Sequence, residues 1–256
     1  MVTQQQKSWK ILLIGDSCLD IYHYGVCERM SPEAPVPVFR ETGRETRLGM
    51  SDNVRLNLES FGLDVFHMHN LEKIKKHRFI DERYRQQLFR HDEGERNPVE
   101  PLLHIPPGAY DAVVISDYNK GFVTKEVADI LHSQIDPSTP IFVDSKKQDL
   151  TIFKNCIIKI NESEASRAST DLTQEVVVTL GSSGAKWKDE VFEADKVDVF
   201  DVCGAGDVFL SALVYGYLIY RDLRRAIMLA NKSAALSVTK MGTYVLTRED
   251  IDGLSI

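Results

Sequence analysis

Long hydrophobic runs, paired cysteines and excess positive charge are all missing from this sequence. No apolar run reaches the roughly 18 residues that a membrane-spanning helix needs, so we expect no membrane partner. The four cysteines, at positions 18, 27, 156 and 203, form neither a CxxC pair nor a zinc-ligand spacing. Free thiols in a reducing compartment account for them, and the N-terminus lacks the long apolar stretch of a secretory signal. The sequence therefore predicts a cytoplasmic protein.

The charge balance argues against nucleic acid as a partner. Lysine and arginine together number 31 against 38 acidic residues, for a formal net charge of −7. Proteins that bind phosphate backbones normally present a basic face, which this composition does not favour. The one basic cluster, Lys73 to Arg78, is short, and we interpret it as the solvated face of a helix or loop, with a binding patch as the alternative.

Two familiar phosphate-binding motifs are absent as well. The sequence contains neither GxxxxGK[ST] nor GxGxxG, so a bound nucleotide must be held by another arrangement. The chain has 256 residues, of which 43% are hydrophobic and 27% charged, and these values suit a soluble globular domain with a full core.

Short apolar runs alternate with helical stretches along the chain, a pattern typical of βαβ units and a largely parallel sheet. The predicted buried strands cover residues 11–15, 112–116, 141–144, 156–160 and 176–180. The predicted helices cover residues 52–61, a segment that begins at Thr124, and two long apolar segments at 205–220 and 223–238.

Residues 31–48 differ in composition from the rest. They contain three prolines and alternating apolar positions, which is typical of edge strands that stand off a main sheet. We therefore predict one α/β domain over residues 1–256, with a mostly parallel central sheet, to which residues 31–48 contribute a small β lid.

Asp201–Asp207, with the sequence DVCGAGD, carries the strongest chemical signal because it precedes a long helix. Gly204 and Gly206 allow close approach of a ligand to the backbone and leave amide groups free to bind an anion. Phosphoryl transfer explains a carboxylate at such a site, since an acidic residue accepts the proton of the attacking hydroxyl. Asp207 is thus a candidate catalytic base, and the amides of Gly204, Ala205 and Gly206 form a candidate anion hole. An ordinary helix N-cap is the alternative for Asp207.

This segment resembles the DTxGAGD signature of the ribokinase-like (phosphofructokinase-B type) carbohydrate kinases, and other segments follow in that family's order. The resemblance implies a ribokinase-like three-layer fold and phosphorylation of a sugar by ATP with Mg²⁺. It implies that Asp20, Gly49 and Asn53 orient the sugar. The residues that it assigns to the nucleotide are Asn161, Glu164, Thr179, Gly181, Gly184 and Asn231, with Glu164 holding Mg²⁺ through water.

Each of these positions has a plain structural alternative. Asp20 and Gly49 could be turn residues, Glu164 could be a first-turn helix residue, and Thr179 and Gly181 could merely close a strand. Their joint occurrence at successive strand ends favours a site, because open α/β sheets bind ligands beyond the carboxyl ends of their strands.

Within the family, the local sequence is most similar to the heptose-7-phosphate kinases. The similar segments are residues 29–39 (RMSPEAPVPVF), 86–90 (QQLFR) and 116–121 (SDYNKG). The resemblance implies an acceptor that already carries a phosphate, for which Arg90 and Lys120 are candidate ligands, while Asp117 could accept hydrogen bonds from sugar hydroxyls. Ordinary surface charge is the alternative for both cations. Lids of relatives pair between subunits, so a homodimer is also expected.

Three departures from the family pattern keep other functions open. Met50 replaces the second glycine of the sugar turn, and Cys203 replaces a threonine beside Asp201, which leaves a monovalent cation in question. The chain is also short between Gly62 and Gln87 and between Arg167 and Val176. A non-catalytic sensor of sugar phosphates or nucleotides, or a kinase for another small alcohol such as a nucleoside, is the alternative.

Overall fold

The structure is a computed structural model that describes residues 9–95, 104–240 and 242–254. Its strands are β1 (Lys10–Gly15), β2 (Ser17–Met30), β3 (Pro37–Met50), β4 (Asp64–His69), β5 (Ile74–Asp81), β6 (Gln86–Glu93), β7 (Ala112–Asp117), β8 (Ile141–Ser145), β9 (Ile157–Asn161), β10 (Glu175–Thr179), β11 (Ala185–Trp187) and β12 (Glu190–Phe192). Its α-helices are α1 (Ser51–Ser60), α2 (Lys125–Gln134), α3 (Glu162–Ala165), α4 (Ala205–Tyr220), α5 (Leu223–Ser237) and α6 (Arg248–Asp252).

The larger sheet has eight strands in the order β12-β11-β10-β9-β8-β7-β1-β4. The pairs from β4 to β10 are parallel, while β11 and β12 are antiparallel additions at one edge. The prediction of a mostly parallel central sheet is therefore confirmed. All five predicted strands are present, each with ends within one residue of those expected.

The central strands are buried on both faces, which explains their nearly continuous apolar sequence. Along β1, Ile11 and Leu13 belong to one core and Leu12 and Ile14 to the other, and each of the four is 0% exposed. Helices α1, α4 and α5 cover the first core and α2 covers the second, so the domain has three layers. Within the described ranges, no helix has the combination of length and apolar character that crossing a bilayer requires.

The predicted helices are confirmed, and local signals define their ends. Thr124 caps α2 by accepting a hydrogen bond from the amide of Val127, and Gly62 follows α1 with a φ of 81°. The long helices α4 and α5 coincide with the two apolar segments of the C-terminal third. Asp222 caps α5 and provides the polar break between them.

The second sheet has four strands in the order β3-β2-β5-β6. It includes residues 37–48 of the segment predicted to form a lid, but it also contains residues 17–30, 74–81 and 86–93. The interpretation of Lys73–Arg78 as a helix or loop face was wrong, because most of this segment lies in β5. Charged side chains on both faces of a small, solvated sheet hide the alternation that would have identified the strand.

The buried carboxylate of Asp52 links two segments, one near Ser17 and one near Lys73, that connect the large sheet to the small sheet. Asp52, at the start of α1, accepts hydrogen bonds from the hydroxyl of Ser17 and from Nζ of Lys73 at 2.7 Å. Asn70 adds to this node by accepting a hydrogen bond from the amide of Ser17 at 2.6 Å. Burial opposes ionisation of Asp52, but the bonds from Lys73 and Ser17 outweigh it and lower its pKa.

Candidate active site

Polar side chains gather at the carboxyl edge of the large sheet, as the sequence predicted. Asp16 follows β1, Asp117 ends β7, Asp144 lies near the end of β8, Asn161 ends β9 and Thr179 ends β10. These five strands are consecutive neighbours in one parallel block, so their ends form one continuous rim.

Helix α4 begins above this rim in a conformation that only glycine adopts easily. Gly204 is the N-cap, with a φ of 79°, and a Cβ there would lie 3.1 Å from Nδ2 of Asn53. A Cβ on Gly206 would lie 2.9 Å from Nζ of Lys159. Asp207 is the third residue of the helix and does not cap it, so the N-cap alternative was wrong. The amide of Ala205 donates to the carbonyl of Val202 at 3.3 Å, the amide of Asp207 donates to the carbonyl of Gly204 at 3.0 Å, and the positive end of the helix dipole lies at this N-terminus.

Asp207 is buried, with 7% of its surface exposed. Its Oδ2 accepts a hydrogen bond from Nδ2 of Asn53 at 2.7 Å, and its Oδ1 accepts one from the hydroxyl of Tyr118 at 3.1 Å. Burial raises the pKa of Asp207 to about 6, and the charge of Asp144 adds to the increase, while Asn53, Lys159 and Tyr118 act in the opposite direction. The carboxylate is therefore ionised at neutral pH but more basic than an exposed one.

Lys159 is a site residue that the sequence analysis missed. It lies in β9, is 5% exposed, and its Nζ contacts Oδ2 of Asp144 at 2.6 Å. Although burial opposes the charge, the carboxylate of Asp144 raises the pKa of Lys159 and keeps it protonated. A lysine inside the apolar strand sequence CIIKI was the available signal, because an isolated buried cation needs a partner or a ligand.

The predicted sugar turn lies where α1 meets the small sheet. A Cβ on Gly49 would lie 2.3 Å from Oδ2 of Asp20. Only glycine therefore allows that carboxylate to lie so close to the backbone of the turn. Asp20 lies on β2, is 8% exposed, and pairs with Arg78 of β5 at 2.9 Å. Asn53 is 2% exposed and links this turn to Asp207. The structure thus brings Asp20, Gly49 and Asn53 together.

Met50, which stands at the second glycine of the family pattern, adopts a backbone conformation that favours glycine. Its φ is 58° and its ψ is −131°, a combination that is strained for a residue with a side chain. The side chain is 4% exposed and packs with Cys18, Ile74 and the ring of Tyr118. The turn therefore has a glycine-like backbone at position 50, and the methionine side chain belongs to a small apolar cluster at the base of the small sheet.

The two candidate cations for a substrate phosphate lie at the margin of the site. Arg90 of β6 is directly opposite Arg78 in the antiparallel pair, and its guanidinium contacts Asp92 at 2.8 Å. Directly opposed residues share a face of the sheet, so Arg90 lies on the face that carries Arg78. Lys120 contacts Glu95 at 2.7 Å. Both cations would exchange a carboxylate partner for a phosphate.

Asp117, predicted to accept hydrogen bonds from the sugar, is 1% exposed, and both of its oxygens accept hydrogen bonds within the protein. Its Oδ2 accepts hydrogen bonds from Oγ of Ser145 at 2.6 Å and from Nζ of Lys147 at 2.8 Å. Its Oδ1 accepts one from the amide of Asn119 at 2.8 Å. In this arrangement Asp117 shapes the loop that follows β7.

A cavity of about 500 Å³ opens on the other side of the α4 N-terminus. Four of the predicted nucleotide residues line it: Thr179, Gly181, Gly184 and Asn231. Its wall is mainly apolar and its other lining residues are Ser182, Ala194, Asp195, Lys196, Val197, Val199, Val202, Ala205, Gly206, Phe209, Ala234, Ala235 and Val238. Ala205 and Gly206, predicted to belong to an anion hole, are among these lining residues, and Asp207 follows them in the chain.

Asn161 and Glu164 lie outside that cavity and form a reciprocal cap at the start of α3. Oδ1 of Asn161 accepts a hydrogen bond from the amide of Glu164 at 2.8 Å, and Oε2 of Glu164 accepts one from the amide of Asn161 at 2.9 Å. The other oxygen, Oε1, lies 3.4 Å from Nζ of Lys146. Among the described residues, no three His, Cys, Asp or Glu side chains cluster as metal ligands. This single carboxylate fits Mg²⁺ held mainly by water and substrate phosphates.

Asp201, beside the anion hole, is bonded to backbone groups. Its Oδ1 accepts a hydrogen bond from the amide of Cys203 at 2.9 Å, and its Oδ2 accepts one from the amide of Gly242 at 3.0 Å. Burial opposes its ionisation, yet these amides lower the pKa of Asp201. The carboxylate thus joins the loop before α4 to the loop after α5.

Curated relatives match almost the entire chain. The bifunctional protein HldE of Nitratiruptor sp. is 32% identical over 95% of this chain and 64% of its own length. The bifunctional protein HldE of Campylobacter concisus is 28% identical over 97% of this chain and 65% of its own. The chain thus spans about two thirds or slightly less of the relatives' length. The first alignment covers 300 positions against 256 residues here, so that relative contains segments that this chain lacks.

Solved structures show the same fold at low sequence identity. Ribokinase from Cryptococcus neoformans, in complex with ADP, has a TM-score of 0.68 at 14% identity, covering 96% of this chain and 99% of its own. A nucleoside kinase from Burkholderia thailandensis has a TM-score of 0.69 at 18% identity, covering 94% and 98%. These similarities confirm the ribokinase-like fold predicted from the sequence.

The family model for pfkB family carbohydrate kinases matches residues 50–250. This range begins at the predicted sugar turn and includes every strand of the large sheet except β1, together with the cavity and the α4 N-terminus. Together with the relatives and the fold, it establishes that this chain belongs to the pfkB family of carbohydrate kinases.

Proposed function

We propose that this chain transfers the γ-phosphoryl group of ATP to a hydroxyl of a sugar or sugar phosphate, with Mg²⁺ as cofactor. Heptose 7-phosphate, phosphorylated at its anomeric hydroxyl, is the acceptor that the sequence resemblance favours. The position of Asp207 carries the proposal. This buried carboxylate lies between the sugar turn, through Asn53, and the end of the cavity, through Gly206.

The cavity suits a nucleotide in size and in chemistry. A volume of about 500 Å³ with apolar walls accommodates an adenosine, and the amides at the start of α4 offer donors for its phosphates. Asn231, proposed for the adenine end, donates a hydrogen bond to the carbonyl of Phe192 at 2.7 Å and so holds the cavity wall. Thr179, Gly181 and Gly184 would contact the nucleotide from the end of β10.

In the proposed reaction, Asp207 accepts the proton of the acceptor hydroxyl as that oxygen attacks the γ-phosphorus. A base with a pKa of about 6 is ionised at pH 7 and still accepts a proton readily. The amides of Gly204, Ala205 and Gly206 stabilise the charge that develops on the transferred group. Lys159 lies at the same helix start and would add a fixed positive charge there.

Mg²⁺, when bound, neutralises phosphate charge and orients the transferred group. We propose that Glu164 holds it through water and that Asn161 lies near the phosphates. When Glu164 binds the hydrated Mg²⁺, Oε1 would contact the water shell of the cation in place of Nζ of Lys146, which now lies 3.4 Å away.

The sugar would lie between the large sheet and the small sheet. Asp20, Gly49 and Asn53 would orient it, and Arg90 and Lys120 would bind a phosphate that it already carries. We propose that the small sheet acts as the lid that excludes water during transfer.

A homodimer through the lid is also proposed. Three aromatic rings form a row on the small sheet, with Phe39 and Phe79 at 5.4 Å and Phe79 and Phe89 at 4.2 Å between centroids. Phe89 is 51% exposed, which leaves part of this row open to a partner. Analytical ultracentrifugation of wild type and Phe89→Ser tests this. The wild type should be a dimer, and the variant should dissociate into monomers at a higher protein concentration than the wild type does.

The decisive experiment measures ADP formation with Mg²⁺ across sugars, sugar phosphates including heptose 7-phosphate, and nucleosides, in sodium and in potassium salts. Wild type, Asp207→Asn and the matched control Asp129→Asn, an exposed acid on α2, are compared. We expect turnover on a sugar or sugar phosphate, a loss of at least about 1,000-fold in Asp207→Asn, and no change in Asp129→Asn.

Other outcomes separate the alternatives. Turnover on nucleosides alone would contradict the sugar assignment while leaving the chemistry intact. Binding of ATP or a sugar phosphate with no turnover on any acceptor would indicate a sensor on a kinase fold.

A further inference from the structure

Tyr118 contacts the proposed base directly, although the sequence analysis assigned it no role within the similar segment 116–121. Its hydroxyl donates a hydrogen bond to Oδ1 of Asp207 at 3.1 Å, while Asn53 donates to Oδ2 at 2.7 Å. The two donors come from different parts of the chain, the loop after β7 and helix α1. They fix the plane of the carboxylate, since each oxygen has one donor and retains further acceptor capacity.

Two buried carboxylates hold the loop that presents Tyr118. Asp16 accepts hydrogen bonds from the amide of Lys120 at 3.1 Å and from the amide of Phe122 at 3.2 Å. Asp117, the residue before the tyrosine, accepts a hydrogen bond from the amide of Asn119, the residue after it, at 2.8 Å. Loop geometry on both sides of Tyr118 is therefore set by groups that are almost completely buried.

The ring of Tyr118 is held as firmly as its backbone. It packs on the cluster of Cys18, Met50 and Ile74 at the base of the small sheet. Nζ of Lys146, which follows β8, lies 4.9 Å from the ring centroid, and Nζ of Lys76, in β5, lies 5.9 Å from it. The hydroxyl thus has little freedom to leave Asp207.

Burial favours the protonated form of the Tyr118 hydroxyl, which is the form that donates to Asp207. Burial raises the pKa of Tyr118 well above 10, and the nearby charges of Asp207 and Asp144 act in the same direction. The charged groups that face Asp207 itself are Asp144, at the end of β8, and Lys159, in β9. Neither replaces the hydrogen bond to Oδ1.

We propose that Tyr118 is a positioning residue for phosphoryl transfer, whose hydroxyl, together with Asn53, holds the Asp207 carboxylate in the orientation that receives the acceptor proton. This role rests on the proposed kinase reaction. It also explains why Asp16 and Asp117 are bonded to the loop rather than open to substrate. The acceptor hydroxyl would approach the remaining lone pair of Oδ1.

The test compares Tyr118→Phe with wild type and with Tyr110→Phe. Tyr110 is a matched control, because its hydroxyl donates to the carbonyl of Pro106 at 3.1 Å near the opposite edge of the sheet. Two quantities are measured: the pKa of the Asp207 carboxyl by ¹³C NMR, assigned with Asp207→Asn, and the pH profiles of kcat and KM.

We expect Tyr118→Phe to raise the pKa of Asp207 by about one unit, because an ionised carboxylate loses a donor. At pH 6.5, a shift of the pKa from about 6 to about 7 should lower the ionised fraction of Asp207, and with it kcat, by about threefold with little change in the KM for ATP, and the deficit should narrow above pH 8. Tyr110→Phe should match wild type in both measurements.

A loss of activity that is the same at every pH, or an unchanged Asp207 titration, would overturn the role of Tyr118 while leaving the kinase reaction intact. A wild type with no turnover on any acceptor would instead overturn the proposed reaction, and the positioning role with it.

Discussion

Nδ2 of Asn53 lies 2.7 Å from Oδ2 of Asp207, although 154 residues separate them along the chain. This bond joins the start of α1, where the sugar turn ends, to the start of α4, where the anion hole lies. The acceptor side and the phosphate side of the site therefore meet at one carboxylate, and its burial has consequences for stability as well as for chemistry.

Asp207→Asn should stabilise the folded protein above pH 6. Burial raises the folded pKa of Asp207 from 3.8 to about 6, so ionisation opposes folding, and the uncharged amide removes this cost. The gain should be fully present above pH 6, shrink as the pH falls from 6 to 4, and vanish below about 4. Its upper limit is about 3 kcal/mol, at about 1.36 kcal/mol per pKa unit.

Urea unfolding of both proteins at pH 4, 5, 6, 7 and 8 measures this effect. Asp129→Asn, at an exposed surface pair, should change the free energy of unfolding by less than about 0.5 kcal/mol at every pH. A variant that is less stable than wild type at pH 8 would show that burial of Asp207 is not costly.

At position 50, glycine should be better tolerated than alanine. Both substitutions remove the buried methionine side chain, but only glycine relieves the strain of a φ of 58° with a ψ of −131°. We expect Met50→Gly to be about 1 kcal/mol more stable than Met50→Ala. Met68, in β4, is the control position. There, Met68→Gly should be less stable than Met68→Ala, because glycine weakens the interior of a strand.

Thermal and urea unfolding of these four variants gives the comparison. Equal stabilities of Met50→Gly and Met50→Ala would mean that the turn relaxes around any side chain.

Asp52→Ala should destabilise the protein by about 3 kcal/mol at pH 7, because Ser17 and Lys73 both lose their acceptor at a buried position. The pKa of Asp52 is lowered in the fold, so its contribution is present above pH 3.8 and is lost as the pH falls through its folded pKa. The cost of the substitution should therefore shrink in acid.

Glu59→Ala is the control for Asp52→Ala, since its pairing with Arg55 lies on the exposed face of the same helix and should contribute less than about 1 kcal/mol. Hydrogen exchange in β2, β3 and β5 shows whether the node also holds the small sheet. If Asp52→Ala leaves hydrogen exchange unchanged in all three strands, Asp52 stabilises α1 and not the small sheet.

Ala234→Phe should weaken nucleotide binding at least about tenfold while leaving acceptor binding unchanged. Ala234 lines the cavity, and an aromatic ring there would take space from the adenosine. Met228→Phe on the same helix is the matched control, because Met228 is 44% exposed and does not line the cavity. Calorimetric titration with a non-hydrolysable ATP analogue measures both variants.

The sequence predicted the large sheet and its covering helices well because their signals are local. Buried parallel strands are nearly continuous apolar runs, as in residues 11–15, and a helix N-cap such as Thr124 is defined by its own neighbours. The prediction of the small sheet was incomplete because its strands carry charged side chains on both faces. For Lys73–Arg78, composition favoured a solvated surface and concealed strand β5.

The chain's own sequence determined which residues stand at the strand ends and where glycine permits close approach, since both depend on short-range patterns. Only the tertiary structure decided which of these residues meet. Strand order places Lys159 beside Asp144, and the pairing of β7 with β8 bonds Asp117 to Ser145 and, just beyond β8, to Lys147 instead of leaving it open. It also brings Tyr118 to Asp207, a contact between residues 89 positions apart that no local pattern encodes. Long-range contacts of this kind depend on the order and twist of the whole sheet, which neighbouring residues do not specify.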